Sequence, residues 1–485
     1  MAAGEMVFAG VDLGTGGVRA LAADSKGRVL ASAQETLSAS PAASAGRHEQ
    51  EPSAWRAAMT AALRKLSAGL AAAGVKPERL AGLAVDGTSG TLAVMDAQGR
   101  ALRPALMYND GRAAAEAEEL NGLAGGFLGR MGYRFAASYA LAKALWVARH
   151  EAEAFGRARW LLSQADCAVG WLTGVWGVTD YSNALKMGYD LIEERWPAWM
   201  EGLPGVAERL AQVKAPGDLL GRVTRQAAAE TGLPEGTPVM GGATDGTAAF
   251  LASGARRPGD VNTTLGTTLV FKVISHRIVV DPSGVLYCHK LPGGLWLPGG
   301  AGNVGGEWVG AWFAGQDPAA LDRQAAGLLP ALCAAYPLAR KGERFPFLSA
   351  QAEGFFEPEP ASVAERYAAC LQGVAMVERL AYEKLEAAAG AKVGDVFATG
   401  GGSRSDVWTQ LRADMTGRVM RRPACPESAM GACVLAAAGR LGGVWAAAEQ
   451  MARVERVFEP AAGRGTVCGE VDGRWVEALK RRGYL

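Results

Sequence analysis

The chain has 485 residues, with 50 Lys and Arg against 49 Asp and Glu and a formal net charge of +1. That balance excludes long-range attraction to nucleic acid or to an anionic membrane surface. Seven Cys without CxxC spacing and four His without an HxxxH pair argue against a disulfide framework or a zinc site, and for reduced thiols in a cytoplasmic protein.

No apolar run approaches the ~18–20 residues that span a bilayer. The opening MAAGEMVFAGVDLG carries Glu5 and Asp12 where a signal peptide needs an apolar stretch. The length suggests two large domains, placed at 1–240 and 241–485.

In chain order, MVFAGVDL (6–13) and GVRALAA (17–23) read as strands joined by Gly14-Thr15-Gly16. A second turn at Asp24–Gly27 leads to a third strand, RVLASAQ. A long helix over 53–74 follows Glu51-Pro52. LAGLAVDG (80–87) and TLAVMD (91–96) read as strands, helices dominate 112–160, and Trp, Gly and turn residues fill 166–200. PVMGGATDGTAAFLASG, from residue 238, reads as strand, loop, helix. VNTTLGTTLVFKVIS (261–275) reads as strand, tight turn, strand. Helices return near 362–390, and VFATGGGSRSDVWTQL reads as strand, Gly-rich loop, helix.

Leu13-Gly14-Thr15 and Leu265-Gly266-Thr267 each join two strands, about half a chain apart. This echo suggests two halves of one architecture. Turns of small residues leave backbone N–H groups exposed to an anion, and Thr adds a hydroxyl donor. A pair of such turns can hold a phosphate chain. A GxGxxG dinucleotide loop would need a helix after it, but a strand follows Gly16, and no GxxxxGK[ST] is present.

Asp12 ends its strand beside such a turn. It can cap that turn, or hold Mg²⁺ through water, since that ion keeps much of its hydration shell. Asp245, in GGATDG, opens a helix. It can be an N-cap or a general base for a hydroxyl, which phosphoryl transfer tolerates because positioning and charge neutralisation carry most of the catalysis. Gly400-Gly401-Gly402 offers a flat backbone on which a planar ring can lie, or simply a flexible turn.

Taken as an ordered set, DLGTGGVR, YNDGR (108–112), GGATDG, the second LGTT, GGGSRSDVW and ESAMGA (427–432) resemble the FGGY carbohydrate kinases. The resemblance covers about residues 6–440. It implies an α/β, actin-like ATPase fold of two similar ribonuclease-H-like domains flanking a catalytic cleft. It implies that Gly14, Thr15 and Arg19 form the first phosphate loop, and that Gly266 and Thr267 form the second. Gly401, Gly402 and Ser405 would hold adenosine, Asp12 would organise Mg²⁺, and Asp245 would be the catalytic base, also close to the metal. Lys143 and Trp146 match a family pattern in SYALAKALWV, which departs from it at Ala140.

The implied substrates are ATP and a ketose. Asn109, Asp110 and Arg112 of YNDGR resemble the WNDGR of xylulose kinases, although Asn-Asp-Gly is also a strong turn signal. Val85–Thr91, VDGTSGT, lacks the Met and His that xylulose kinases carry there and resembles ribulose kinases of the cyanobacterial and plastid type. In that resemblance Ser89 contacts the sugar together with Asp12 and Asp245. The expected reaction is transfer of the γ-phosphate of ATP to the C5 hydroxyl of D-ribulose, with D-xylulose as the alternative. A non-catalytic sugar sensor is disfavoured by the intact Asp12 and Asp245. No nucleic acid or membrane partner is expected, and a homodimer is left open.

Overall fold

Alternation along Val7–Leu13 (β1) sends Val7, Ala9, Val11 and Leu13 to one apolar cluster and Phe8 to another, and both are buried. A strand covered on both faces reads as a nearly continuous apolar run, so VFAGVDL carries its one charge near its end. The computed structural model describes residues 5–37, 46–461 and 464–485, and the backbone alone of 464–472. Cys468 therefore lies outside the described side chains, and the other six Cys are unpaired thiols.

β1 pairs antiparallel with Gly17–Asp24 (β2), and β2 pairs antiparallel with Val29–Thr36 (β3). On its other side β1 runs parallel to Leu80–Gly87 (β4), with Asp12 opposite Asp86. Leu219–Arg222 (β5) and Pro238–Met240 (β6) complete the sheet in the order β5-β6-β4-β1-β2-β3. Helix Pro52–Ala72 buries Trp55, Met59, Leu63, Leu66 and Leu70, a three-to-four-residue spacing that makes one apolar stripe. It lies against β2 and β3.

Helix Ser428–Leu441 covers the opposite face, against β1 and β4. Gly10 permits this approach, because a Cβ there would stand 1.9 Å from the Ala429 carbonyl oxygen and 2.6 Å from Cys433 N.

The chain divides into two compact units, Met1–Ala252 with Cys425–Arg453, and Ser253–Ala424 with Val454–Leu485. The boundary expected after residue 240 is thus displaced. The GGATDG segment stays with the first unit because it extends the row of parallel strands, with Gly87 bridging to Thr244. Residues 425–453 return to that unit to cover its sheet. Residues 166–200, expected as turns, begin instead within helix Gln164–Thr173, which has a capping box: Ser163 Oγ accepts from Asp166 N and Asp166 accepts from Ser163 N.

The second unit repeats the pattern. Val261–Leu265 (β7), Leu269–Val273 (β8), Tyr287–Lys290 (β9), Trp296–Gly302 (β10), Val396–Thr399 (β11), Met420–Pro423 (β12) and Val454–Phe458 (β13) form a sheet in the order β9-β10-β8-β7-β11-β12-β13. β7 pairs antiparallel with β8 and parallel with β11, as β1 does with β2 and β4. The echoed Leu-Gly-Thr turns therefore occupy equivalent hairpins.

Helix Val363–Ala389 runs through this unit's core. Ser362 Oγ caps its start and Gly390, at φ 66°, ends it. Within that core Arg412 and Glu378, both 0% exposed, make a two-point ion pair at 2.6 and 2.8 Å. Among the described residues no single helix is long and apolar enough to cross a membrane.

Candidate active site

Parallel strands deliver their carboxyl ends to one edge, and open α/β sheets bind ligands there. In the first unit that edge carries three acids. Asp12 ends β1 and Asp86 stands beside it on β4. Asp245 opens helix Asp245–Ser253 one residue past the Gly87–Thr244 bridge. Ser182, Thr244 and Thr247 link their hydroxyls at 3.0–3.2 Å, and Ser182 Oγ also accepts from Thr244 N. This buried hydroxyl cluster fixes the turn that presents Asp245.

Asp12 is 8% exposed and accepts from Arg19 Nη1 at 3.3 Å. Burial, then the charge of Asp245, raises its carboxyl above the ordinary value, while Arg19 partly offsets this. Asp86 is 0% exposed, and no protein donor reaches either of its oxygens among the described residues. Burial first, then the charges of Asp12 and Asp245, pushes it well above the carboxylate range. A hydrogen bond between the two carboxyls further raises Asp86 and lowers Asp12. Asp86 is the site residue that sequence reasoning missed.

The first turn lies alongside. Gly14 N donates to Gly17 O at 3.0 Å, and Gln50 Nε2 holds the Thr15 carbonyl at 2.8 Å. Thr15 Oγ1 reaches Thr88 Oγ1 at 3.5 Å. Asp12, Gly14, Thr15, Arg19 and the 86–89 segment are thus neighbours. Ser89 follows directly, its carbonyl accepting from Lys186 Nζ at 3.4 Å, and the next carbonyl, Gly90 O, accepts from the buried Lys143 at 2.9 Å. Burial, then nearby Lys186, brings the Lys143 amine down to about 7.

YNDGR is placed differently. Asp110 is buried and accepts from Arg112 Nη2 and His48 N, each at 2.8 Å, while Arg112 also pairs with Glu49 and stacks 4.7 Å over Trp146. Asn109 is exposed and bonds the His48 ring. The polar atoms of Asp110 and Arg112 are engaged by one another and by His48 and Glu49. The charge of Asp110 acts on Lys143, which is its link to the 89–90 loop.

In the second unit, Gly266, Thr267, Gly401, Gly402 and Ser405 line one groove of about 520 Å³. The LGT turn is braced from behind, with Gly306 N donating to Gly266 O at 2.7 Å and Glu307 N to Thr267 O at 3.2 Å. Gly400, at φ 83°, would place a Cβ 2.4 Å from Leu265 O, whereas a Cβ on Gly401 meets nothing. Ser405 caps helix Asp406–Thr416 by accepting from Trp408 N at 3.0 Å. A bare Gly backbone, a helix start and the walls of Tyr367 and Trp408 suit a planar ring joined to phosphates.

A match to the N-terminal domain of the FGGY family of carbohydrate kinases covers residues 7–252, and one to its C-terminal domain covers 261–439. The chain belongs to the FGGY family of carbohydrate kinases. Members of this family are ATP-dependent phosphotransferases acting on a sugar hydroxyl, and this chain has their two-domain, actin-like architecture. It is 27% identical to a xylulose kinase of Escherichia coli K12 over 85% of each chain. It is 28% identical to one from Streptomyces rubiginosus, over 94% of this chain and 91% of the other. The crystal structure of xylulose kinase from Rhodospirillum rubrum superposes with a TM-score of 0.83, at 29% identity and over 98% of both chains.

FGGY kinases use ATP, generally with Mg²⁺. The acid edge fits such a cation: Asp12 and Asp86 are buried carboxyls, Asp12 raised by burial and the charge of Asp245, and Asp86 by burial and the charges of Asp12 and Asp245. Among the described residues no three His, Cys, Asp or Glu side chains are grouped to chelate an ion directly. Asp12 and Asp245 are the residues that would hold Mg²⁺, through water.

Proposed function

We propose that this chain transfers the γ-phosphate of ATP to the C5 hydroxyl of a ketopentose, D-ribulose before D-xylulose. The observation that carries the reading is the convergence of Asp12, Asp86 and Asp245 beside the VDGTSGT loop. The names of the relatives favour D-xylulose as the second reading.

In this reading Ser89 and Asp12 bind the sugar and Asp245 accepts the proton of its C5 hydroxyl. The freed oxygen bonds to the γ-phosphorus as the bond to the β-phosphate oxygen breaks. ADP leaves, and the proton on Asp245 returns to water. Backbone N–H groups of the two Leu-Gly-Thr turns neutralise charge on the phosphate oxygens. Mg²⁺, when bound with ATP, supplies further neutralisation of that kind. Asp86, protonated, donates to Asp12 and keeps a third negative charge away from the phosphates. Gly401, Gly402 and Ser405 support adenosine. The cytoplasm, which supplies ATP, is the proposed compartment, in keeping with the six unpaired thiols.

ADP release with D-ribulose, D-xylulose, L-ribulose and glycerol in parallel tests this. A kcat/KM preference for D-ribulose supports the reading. Preference for D-xylulose overturns the choice of sugar, and turnover of glycerol alone overturns the ketopentose assignment.

A further inference from the structure

A 2-ketopentose closes its furanose ring through the C5 oxygen. A C5 hydroxyl free to accept phosphate therefore belongs to the open chain, and the open chain exposes a C2 carbonyl. A kinase working on that form gains by recognising an acceptor that a polyol lacks. We propose that Lys186 binds the C2 carbonyl oxygen and makes this site select open-chain ketoses over polyols, an inference that rests on the ketopentose reading above.

Lys186 sits in the short turn Leu185–Met187, and its Nζ makes one long hydrogen bond, 3.4 Å to Ser89 O. An ammonium has three donors, so two remain for a ligand. It stands 5.7 Å from the centre of the Tyr139 ring. Asp245 is the acid whose charge acts on it. Lys186 thus reaches both the Ser89 loop and the field of Asp245, the two groups assigned to the sugar.

The surroundings are shaped around this side chain. Gly90, at φ 82°, would carry a Cβ 2.8 Å from Lys186 Cδ and 2.3 Å from Ser138 O. Any side chain at residue 90 would displace the lysine. Lys143 already holds the Gly90 carbonyl at 2.9 Å, so Lys186 is not needed to fix that part of the loop. Keeping two lysines this close, both largely out of water, costs stability. A ligand oxygen that accepts from one of them would offset that cost.

The test uses full-length Lys186→Met and Lys186→Arg beside the wild type, with ATP-Mg²⁺. D-Ribulose and D-xylulose are compared with ribitol and xylitol, as substrates or as competitive inhibitors. Lys186→Met is expected to lower kcat/KM for the ketoses by about ten- to a hundredfold, the range for one charge-assisted hydrogen bond. The polyol constants should stay within about threefold, and Lys186→Arg should recover part of the ketose loss. An ADP-induced thermal shift equal to that of the wild type shows that the variants are folded.

Equal losses for ketoses and polyols, or no ketose loss, overturn the role of Lys186 alone. If the polyols neither turn over nor inhibit, the two variants decide: equal ketose loss in Met and Arg overturns the role, and recovery in Arg supports it. A wild type that turns over no ketose overturns this inference together with the proposed function.

Discussion

Replacing Asp86 by Asn tests whether the buried acid is a neutral hydrogen-bond donor. Asp86 has no exposed surface and no protein donor on either oxygen among the described residues, and it faces the charges of Asp12 and Asp245. Its carboxyl lies well above the ordinary value of 3.8. From about 3.8 upward, until the folded carboxyl ionises, the native state keeps a proton that the unfolded chain has lost. Stability must then fall as pH rises, by about 1.4 kcal/mol per pH unit from this one group, until the folded carboxyl ionises.

Asn does not titrate, so the variant lacks that slope. Urea denaturation of both proteins in metal-free buffer, over about three pH units from weakly acidic upward, should show the variant gaining on the wild type. The Asn amide can donate to Asp12 in place of the acid, so sugar turnover should stay within about tenfold. Asp86→Val removes the donor and should cost about ten- to a hundredfold more, the range for a hydrogen bond to a charged group. A stability gap that does not change with pH, or loss of turnover in Asp86→Asn as deep as in Asp86→Val, would refute the neutral-donor argument.

Asp245→Asn should lower kcat by about 10²–10⁴-fold, with ADP affinity, followed by Trp fluorescence, unchanged; wild-type turnover removes Asp245 as the base. Gly402→Ala would set a Cβ 2.4 Å from the Leu265 side chain, whereas Gly401→Ala meets no atom. The first should raise the KM for ATP severalfold and the second should leave it unchanged, provided Gly401 bears on adenosine through its backbone alone. Arg412→Met leaves Glu378 buried without its ion-pair partner, and urea melts should show a loss of about 3–5 kcal/mol; a loss below about 1 kcal/mol would mean the carboxylate is satisfied by the Tyr382 hydroxyl, which also donates to it, alone.

Much of the fold was legible because local chemistry and tertiary demand agreed. The Gly-Thr turns, the β1–β2–β3 meander and the long helix after Glu51-Pro52 all lie where turn residues and periodicity put them. Asp86 was legible and overlooked. GVDLGT and AVDGTS both run apolar, then Val-Asp, then small residues and Thr, and two like endings on neighbouring parallel strands bring two acids together. Ser163-Gln-Ala-Asp166 likewise spelled a helix start within a stretch taken for turns.

Other features are set by distance in space. The YNDGR turn has the residue types of a sugar site, but its own ion pairs take up Asp110 and Arg112, which only coordinates reveal. SAMGACVLAAAGRL is apolar on all sides and so announces a buried helix. Nothing local says which sheet it covers, so the return of residues 425–453 to the first unit is set by tertiary packing alone.

The return of that helix sets an order of synthesis. By the time residue 252 leaves the ribosome, all six strands of the first sheet exist, but the cover for Phe8, Leu21 and Ala84 does not. That cover is encoded beyond Ala424, after most of the second unit. At about 5–20 residues per second the apolar face waits roughly 10–35 seconds for its helix. The nascent protein therefore spends part of its birth with an open sheet, and a fragment ending at residue 252 would keep that face open for good.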